Sequence, residues 1–150
     1  MISVDANLLL YAFSAASPHH ARAHAFLLEL TGRGHDVALS EFVLTEFYLH
    51  LRNPAVLEHP LNAAEAVAIV QEYRRHPVWK VLGFPPGSRR IHEALWRAAA
   101  QDGFARRRIY DLRMALALQS FGVTEFATAN VKDFRDLGFT RVWNPLDLHS

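Results

Sequence analysis

The sequence predicts a three-layer α/β/α domain with a short, central parallel sheet. Short apolar runs of four or five residues alternate with helical stretches along the chain, and this alternation favours a parallel sheet. Hydrophobic residues make up 51% of the chain, which is enough to bury a core. A chain of 150 residues has the length of one domain, so we expect residues 1–150 to form a single unit.

Five apolar runs predict the strands of this sheet. They cover residues 1–4, 37–39, 78–82 and 125–129, with a final run around Val142. The first run ends at Asp5, which is typical of a buried strand that reaches the edge of its sheet.

Six helices are predicted between the strands, and most have recognisable start or stop residues. They cover residues 6–13, 17–31, 41–52, 62–75, 88–102 and 110–121. Ser17, Ser40 and Ser88 precede helical stretches as N-cap candidates, since a serine hydroxyl accepts from a free N–H of the first turn. Gly32 and Gly122 follow the last turns, where glycine commonly ends a helix.

Composition and charge exclude several classes of function. There are 16 Lys and Arg and 15 Asp and Glu, and a net charge of +1 argues against coating nucleic acid by bulk charge. With 0 cysteines, disulfide frameworks, zinc ribbons and thiol catalysis are excluded, and a cytoplasmic location is expected. No glycine-rich phosphate loop follows the first strand, and no apolar stretch approaches the roughly 18 residues of a membrane span.

Four acidic residues far apart in sequence are predicted to meet at one edge of the sheet: Asp5, Glu46, Asp111 and Asp133. Ligands of a parallel sheet bind beyond the carboxyl ends of its strands, where these acids fall. Clustered carboxylates repel one another unless a hard divalent cation lies between them. The acids therefore predict a Mg²⁺ or Mn²⁺ site able to polarise a phosphodiester and activate a water.

Each acid also has a purely structural interpretation. Asp5 can end a strand and cap the next turn, and Asp111 can complement the dipole of its helix. Glu46 can lie on a solvated helix face, and Asp133 can cap the segment 134–136.

Four short segments containing these acids, at 2–12, 45–54, 110–117 and 128–134, resemble the motifs of PIN-domain nucleases, and of VapC-type toxins in particular. The ending at 143–146 recurs in one branch of these toxins, so the resemblance covers nearly the whole chain. It implies a PIN-like fold and a Mg²⁺- or Mn²⁺-dependent endoribonuclease that cuts tRNA or ribosomal RNA. It also implies a small antitoxin that blocks the acidic pocket, and a homodimer.

The resemblance carries roles onto particular residues. Asp5 and Asp111 would be the principal metal ligands, and Glu46 and Asp133 would complete the catalytic pocket, with Asp133 as a further metal ligand. In the fourth segment both Asn130 and Asp133 occupy places where family members carry an acid. We favour Asp133, with Asn130 as a neutral neighbour that orients a water or a phosphate.

Substrate contacts are predicted around this pocket. The expected substrate-binding residues are Asn7, Thr128, Asn130, Arg107 and Arg108. The arginines precede Asp111 closely and can hold RNA phosphates beside an acidic pocket, although a solvated charge run is the alternative. A non-catalytic PIN-like module that binds RNA or a protein is the main functional alternative.

Overall fold

A five-stranded, all-parallel sheet is the centre of the computed structural model, which describes residues 1–32, 34 and 36–147. The strands are β1 (Ile2–Val4), β2 (Val37–Ser40), β3 (Lys80–Leu82), β4 (Glu125–Ala127) and β5 (Arg141–Trp143). Their order across the sheet is β3-β2-β1-β4-β5. Ile2 is in register with Val37 on one side and with Glu125 on the other, so β1 is the central strand.

Seven helices of the described region surround this sheet. They are α1 (Ala6–Phe13), α2 (His20–Gly32), α3 (Glu41–Leu51), α4 (Ala63–Arg75), α5 (Ser88–Ala99), α6 (Arg108–Ser120) and α7 (Val131–Phe134). Helices α1 to α4 pack as one group and α5 to α7 as another. The crossovers β1–β2 and β4–β5 run in opposite directions, so right-handed connections place their helices on opposite faces. The predicted three-layer architecture is confirmed.

Each helix within the described residues falls short of the length and apolarity that a membrane crossing demands.

Local capping explains where the helices that leave the sheet begin. The Asp5 side chain accepts from the N–H of Ala6 at the start of α1. The Ser40 hydroxyl accepts from the N–H of Phe42 at the start of α3, as its position predicts. Each cap satisfies a donor that the first helical turn leaves free, so strand and helix join through a single polar residue.

Aromatic packing holds the sheet against α7. Phe126 in β4 is fully buried, and its ring centroid lies 4.7 Å from that of Phe134 and 5.2 Å from that of Phe139. Such ring pairs add to the stabilisation that burial alone provides. This contact fixes α7, and with it Asp133, relative to the end of β4.

Several boundaries differ from those that the sequence predicts. Ser88 does not cap α5: Gly87 occupies the N-cap position without a side-chain bond, and Ser88 is the first helical residue. Ser17 accepts from His19 in a turn before α2 begins at His20. The short helix α7 was not predicted, and Asp133 lies inside it instead of capping the segment 134–136.

Candidate active site

The two central strands end at the point where the chain reverses its direction across the sheet. From β1 the chain moves outward to β2 and β3, and then returns to β4 on the other side of β1. Open parallel sheets bind ligands in the crevice that such a reversal creates at the carboxyl ends of the strands. Asp5 directly follows β1 and Thr128 directly follows β4. Strand order therefore places both residues in this crevice.

The Asp5 carboxylate is held by three donors. Its Oδ1 accepts from the N–H of Ala6 at 2.8 Å, and its Oδ2 accepts from the Thr128 hydroxyl at 2.6 Å. The Asn7 amide nitrogen donates to the same Oδ2 at 3.3 Å. Asp5 is only 6% exposed and Thr128 is fully buried. A carboxylate fixed in this way presents its remaining lone pairs in one direction.

Thr128 and Asn7 also fix the loop that follows β4. The Thr128 Oγ1 accepts from the backbone N–H of Asn130 at 3.0 Å, and the Asn7 Oδ1 accepts from the N–H of Ala129 at 3.4 Å. Asn130 itself is exposed at the start of α7. The burial of Thr128 favours a role in positioning Asp5 over the contact with substrate that the sequence suggested.

Burial and neighbouring negative charges disfavour the ionised form of Asp5. The pKa of Asp5 is raised from 3.8 to about 6, mainly because burial disfavours the charged form, and the negative charges of Glu46 and Asp111 contribute to this rise. The Thr128 and Ala6 hydrogen bonds lower the pKa of this carboxyl, but burial outweighs them.

Asp111, in the first turn of α6, is perturbed in the same direction. The pKa of Asp111 is raised from 3.8 to about 6, mainly by burial and then by the charges of Asp133 and Glu46, while Arg108 opposes the rise. The charges of Asp133 and Glu46 therefore raise the pKa of Asp111, and the charge of Asp111 in turn raises the pKa of Asp5. The structure brings all four predicted acids into one electrostatic cluster, which we call the carboxylate cluster: Asp5, Glu46, Asp111 and Asp133.

The chemistry of the carboxylate cluster fits a hard cation. Within residues 1–32, 34 and 36–147, no three or more His, Asp or Glu side chains lie close enough together to hold a metal ion. Glu46 and Asp133 are exposed, and the Glu46 carboxylate lies 3.7 Å from His50 Nε2, so these two side chains must reorient before three carboxylates can share one cation. The donors are carboxylate oxygens, which suit Mg²⁺ or Mn²⁺ better than softer metals.

The predicted arginines lie at the entrance to α6. Arg107 is exposed and immediately precedes the helix, and Arg108 is its first residue, partly buried. Arg108 is near enough to Asp111 to lower the pKa of that carboxyl. Positive charge thus borders the carboxylate cluster on the side of α6.

Sequence reasoning missed a group of larger side chains beside the cluster. The guanidinium of Arg113 lies 5.4 Å from the ring centroid of Tyr110 and 5.9 Å from that of Phe42. Phe42 belongs to α3 and the other two to α6, so no spacing within either helix reveals the contact. Tyr110 is also exposed, which is unusual because large aromatic side chains are mostly buried.

Comparison with known proteins identifies the family. A family model described as the PIN domain matches residues 2–139. Ribonuclease VapC24 of Mycobacterium tuberculosis is 46% identical over 146 residues, 97% of each chain. FitAcB from Neisseria gonorrhoeae has a similar fold, with a TM-score of 0.67 and 22% identity over 99% of this chain and 100% of its own. VapC20 of M. tuberculosis, a toxin that cleaves the sarcin–ricin loop, has a TM-score of 0.58 and 17% identity over 84% and 87%. The chain therefore belongs to the PIN-domain family, and within it to the VapC-type ribonucleases.

Proposed function

We propose that the chain is a Mg²⁺- or Mn²⁺-dependent endoribonuclease and the toxin of a toxin–antitoxin pair. The observation that carries this proposal is the gathering of four carboxylates at the switch point of the sheet, where the charges of Glu46, Asp111 and Asp133 disfavour the ionisation of Asp5 or Asp111. Clustered carboxylates destabilise the protein when no cation is bound, and the same carboxylates bind a divalent cation favourably.

Each acidic residue has a distinct part in this proposal. Asp5 and Asp111 are the principal metal ligands, with Asp133 as a third, and Glu46 completes the negative pocket. A bound Mg²⁺ or Mn²⁺ supplies Lewis-acid polarisation of the phosphodiester and activates a water. Thr128 and Asn7 keep the Asp5 carboxylate in one orientation while substrate binds and leaves.

Binding of an RNA backbone next to four carboxylates requires nearby positive charge. Arg107 and Arg108 are the residues that we assign to substrate phosphates, since both lie at the start of the helix that carries Asp111. Asn130, exposed beside Asp133, is placed to orient a water or a phosphate oxygen. Arginine suits this role because its planar donors match phosphate oxygens.

The substrate and partners follow from the family relationship. Since a structural relative cleaves the sarcin–ricin loop, we propose a structured RNA, tRNA or ribosomal RNA, as the substrate. We further propose that a small antitoxin protein covers the carboxylate cluster, that the chain forms homodimers, and that it acts in the cytoplasm.

Cleavage of total tRNA and ribosomal RNA by the purified chain tests the proposal. With Mg²⁺ or Mn²⁺ we expect discrete fragments, and EDTA or Asp5→Asn should abolish them. The matched control is Asp136→Asn, which removes an exposed carboxylate three residues from Asp133. This control should cut RNA like the unaltered chain.

Two results would overturn the assignment. Cleavage that persists in Asp5→Asn would show that the carboxylate cluster is not the site. Tight RNA binding without cleavage by the unaltered chain, at any Mg²⁺ or Mn²⁺ concentration, would favour the non-catalytic module instead.

A further inference from the structure

A cavity beside the carboxylate cluster has the size of a small-ligand site. It has a volume of about 430 Å³ and lies between α3 and α6, where Glu46 and Asp111 form part of its wall. Phe42, Tyr110 and Arg113 line it as well. Ligand sites commonly have about 300–1,000 Å³, so the space suffices for a planar group as large as a nucleobase.

One part of this wall combines a cationic side chain with aromatic rings. The Arg113 guanidinium lies near the rings of both Tyr110 and Phe42, at 5.4 and 5.9 Å from their centroids. Tyr110 is 69% exposed, so much of its side chain remains open to solvent. A guanidinium that stacks on aromatic rings keeps its N–H donors available for phosphate oxygens. Tyr110 and Arg113 together therefore offer a stacking surface and a phosphate donor.

The surface continues from Phe42 to Phe84. Their rings meet edge to face with centroids 5.5 Å apart, and Phe84 is 87% exposed. Arg113 and Phe42 also line a smaller cavity of about 150 Å³ with Phe84. We call these four residues the aromatic strip: Phe42, Phe84, Tyr110 and Arg113. Exposed aromatic side chains gathered on one surface usually mark a binding site.

The chemistry of the aromatic strip favours nucleic acid over an apolar protein surface. A cation lies at its centre, and it adjoins the carboxylate cluster, where the proposed function places the RNA backbone and its metal ion. Bases in an A-form helix are stacked on one another and cannot reach such a surface, whereas unpaired bases stack readily on aromatic side chains and arginine.

We propose that the aromatic strip binds unpaired nucleotides of the RNA, with the base next to the scissile bond stacked on Tyr110 and its phosphate held by Arg113. This inference rests on the proposed ribonuclease function and makes it more specific. The chain selects single-stranded segments such as loops, because a paired base cannot enter the cavity between α3 and α6.

Fluorescence of 2-aminopurine tests this stacking without any cleavage. The probe is a hairpin RNA with 2-aminopurine in its unpaired loop, titrated with Asp5→Asn protein in Mg²⁺ beside a fully paired duplex that carries the same label. We expect the loop signal to be quenched on binding and the duplex signal to stay unchanged. Adding Tyr110→Ala should weaken loop binding about 5- to 150-fold, the range for loss of one base–aromatic stack.

Two variants separate stacking from a general effect on the protein. Tyr110→Phe keeps the ring and should restore binding and quenching. Trp96→Ala removes an aromatic side chain of similar exposure, 61%, from outside the cavity and should leave both unchanged. Circular dichroism of all variants shows whether the fold is retained.

The outcomes distinguish this inference from the proposed function. Equal quenching with loop and duplex, or loop binding that does not depend on Tyr110, would overturn the stacking surface even if the unaltered chain cuts RNA. A change of oligomeric state in Tyr110→Ala with unchanged RNA binding would assign the aromatic strip to a protein interface. Ring-dependent loop binding by a chain that never cuts RNA would support the strip and overturn the nuclease.

Discussion

Replacing the central carboxylate by its neutral isostere should stabilise the metal-free protein at neutral pH. In the unfolded chain Asp5 ionises near pH 3.8, whereas in the folded protein its pKa is about 6. The folded state therefore holds a proton that the unfolded state has lost, and stability falls as pH rises from about 4 to about 6. Above pH 6 the Asp5 carboxylate is ionised in the folded protein, and its burial and the repulsion by its acidic neighbours lower the free energy of unfolding in full.

The size of the effect follows from this pKa difference. One pH unit corresponds to about 1.4 kcal/mol, so the rise from 3.8 to about 6 represents about 3 kcal/mol at pH 7. Asp5→Asn removes that cost, but an amide NH2 in place of Oδ2 faces the donors of both Thr128 and Asn7, which loses one or two hydrogen bonds of about 1 kcal/mol each. We expect a net gain of about 1–2 kcal/mol, or about 2–8 °C in Tm for a chain of this size.

Urea unfolding in EDTA, at pH 7 and at pH 4, measures this gain. At pH 4 the folded chain keeps its proton on Asp5, so Asp5→Asn should bring no stabilisation there. Asp136→Asn, at an exposed position, should change the free energy of unfolding by less than about 0.5 kcal/mol at either pH. A loss of stability in Asp5→Asn at pH 7, or an equal gain at both pH values, would refute the electrostatic reasoning.

Three further substitutions test other contacts. Thr128→Val removes the hydroxyl that lowers the pKa of Asp5, so in EDTA the upper end of the pH range over which stability falls should move up by about one pH unit in urea unfolding, while Thr128→Ser should leave it in place. Phe126→Ala should cost about 3–5 kcal/mol in urea unfolding, because its fully buried ring contacts two others; a cost below about 1 kcal/mol would contradict this packing. Gly138→Ala should lower stability by more than about 1 kcal/mol, since Gly138 has φ +99°, a conformation that residues with a Cβ rarely adopt; an unchanged thermal midpoint would argue against that strain.

Most of the fold was predictable because its signals are local. Each strand is a short apolar run, and residues such as Ser40 and Gly122 mark helix ends by their own chemistry. The helix α7 was missed because four residues are too few to show a period. Ser88 was misassigned as a cap because its hydroxyl offers the same signal one residue inside the helix.

The acidic residues of the candidate site could be predicted from the sequence, but the hydrogen bonds and ring contacts around them could not. The rule that ligands bind at carboxyl ends of parallel strands was enough to group Asp5, Asp111 and Asp133. The hydrogen bond from Thr128 to Asp5 joins residues 123 positions apart and depends on β4 lying beside β1, which periodicity does not reveal. The contact of Arg113 with Phe42 depends in the same way on how α6 packs near α3.

The pairing of β1 with β4 also has a consequence for protein synthesis. A ribosome reaches Thr128 123 residues after Asp5, which takes about 6 to 25 seconds at usual elongation rates. Until then one edge of β1 has no strand beside it, and Asp5 lacks its shortest hydrogen bond. The residue that completes the Asp5 site is thus translated long after Asp5 itself, so an interrupted chain that ends before Thr128 cannot assemble the pocket.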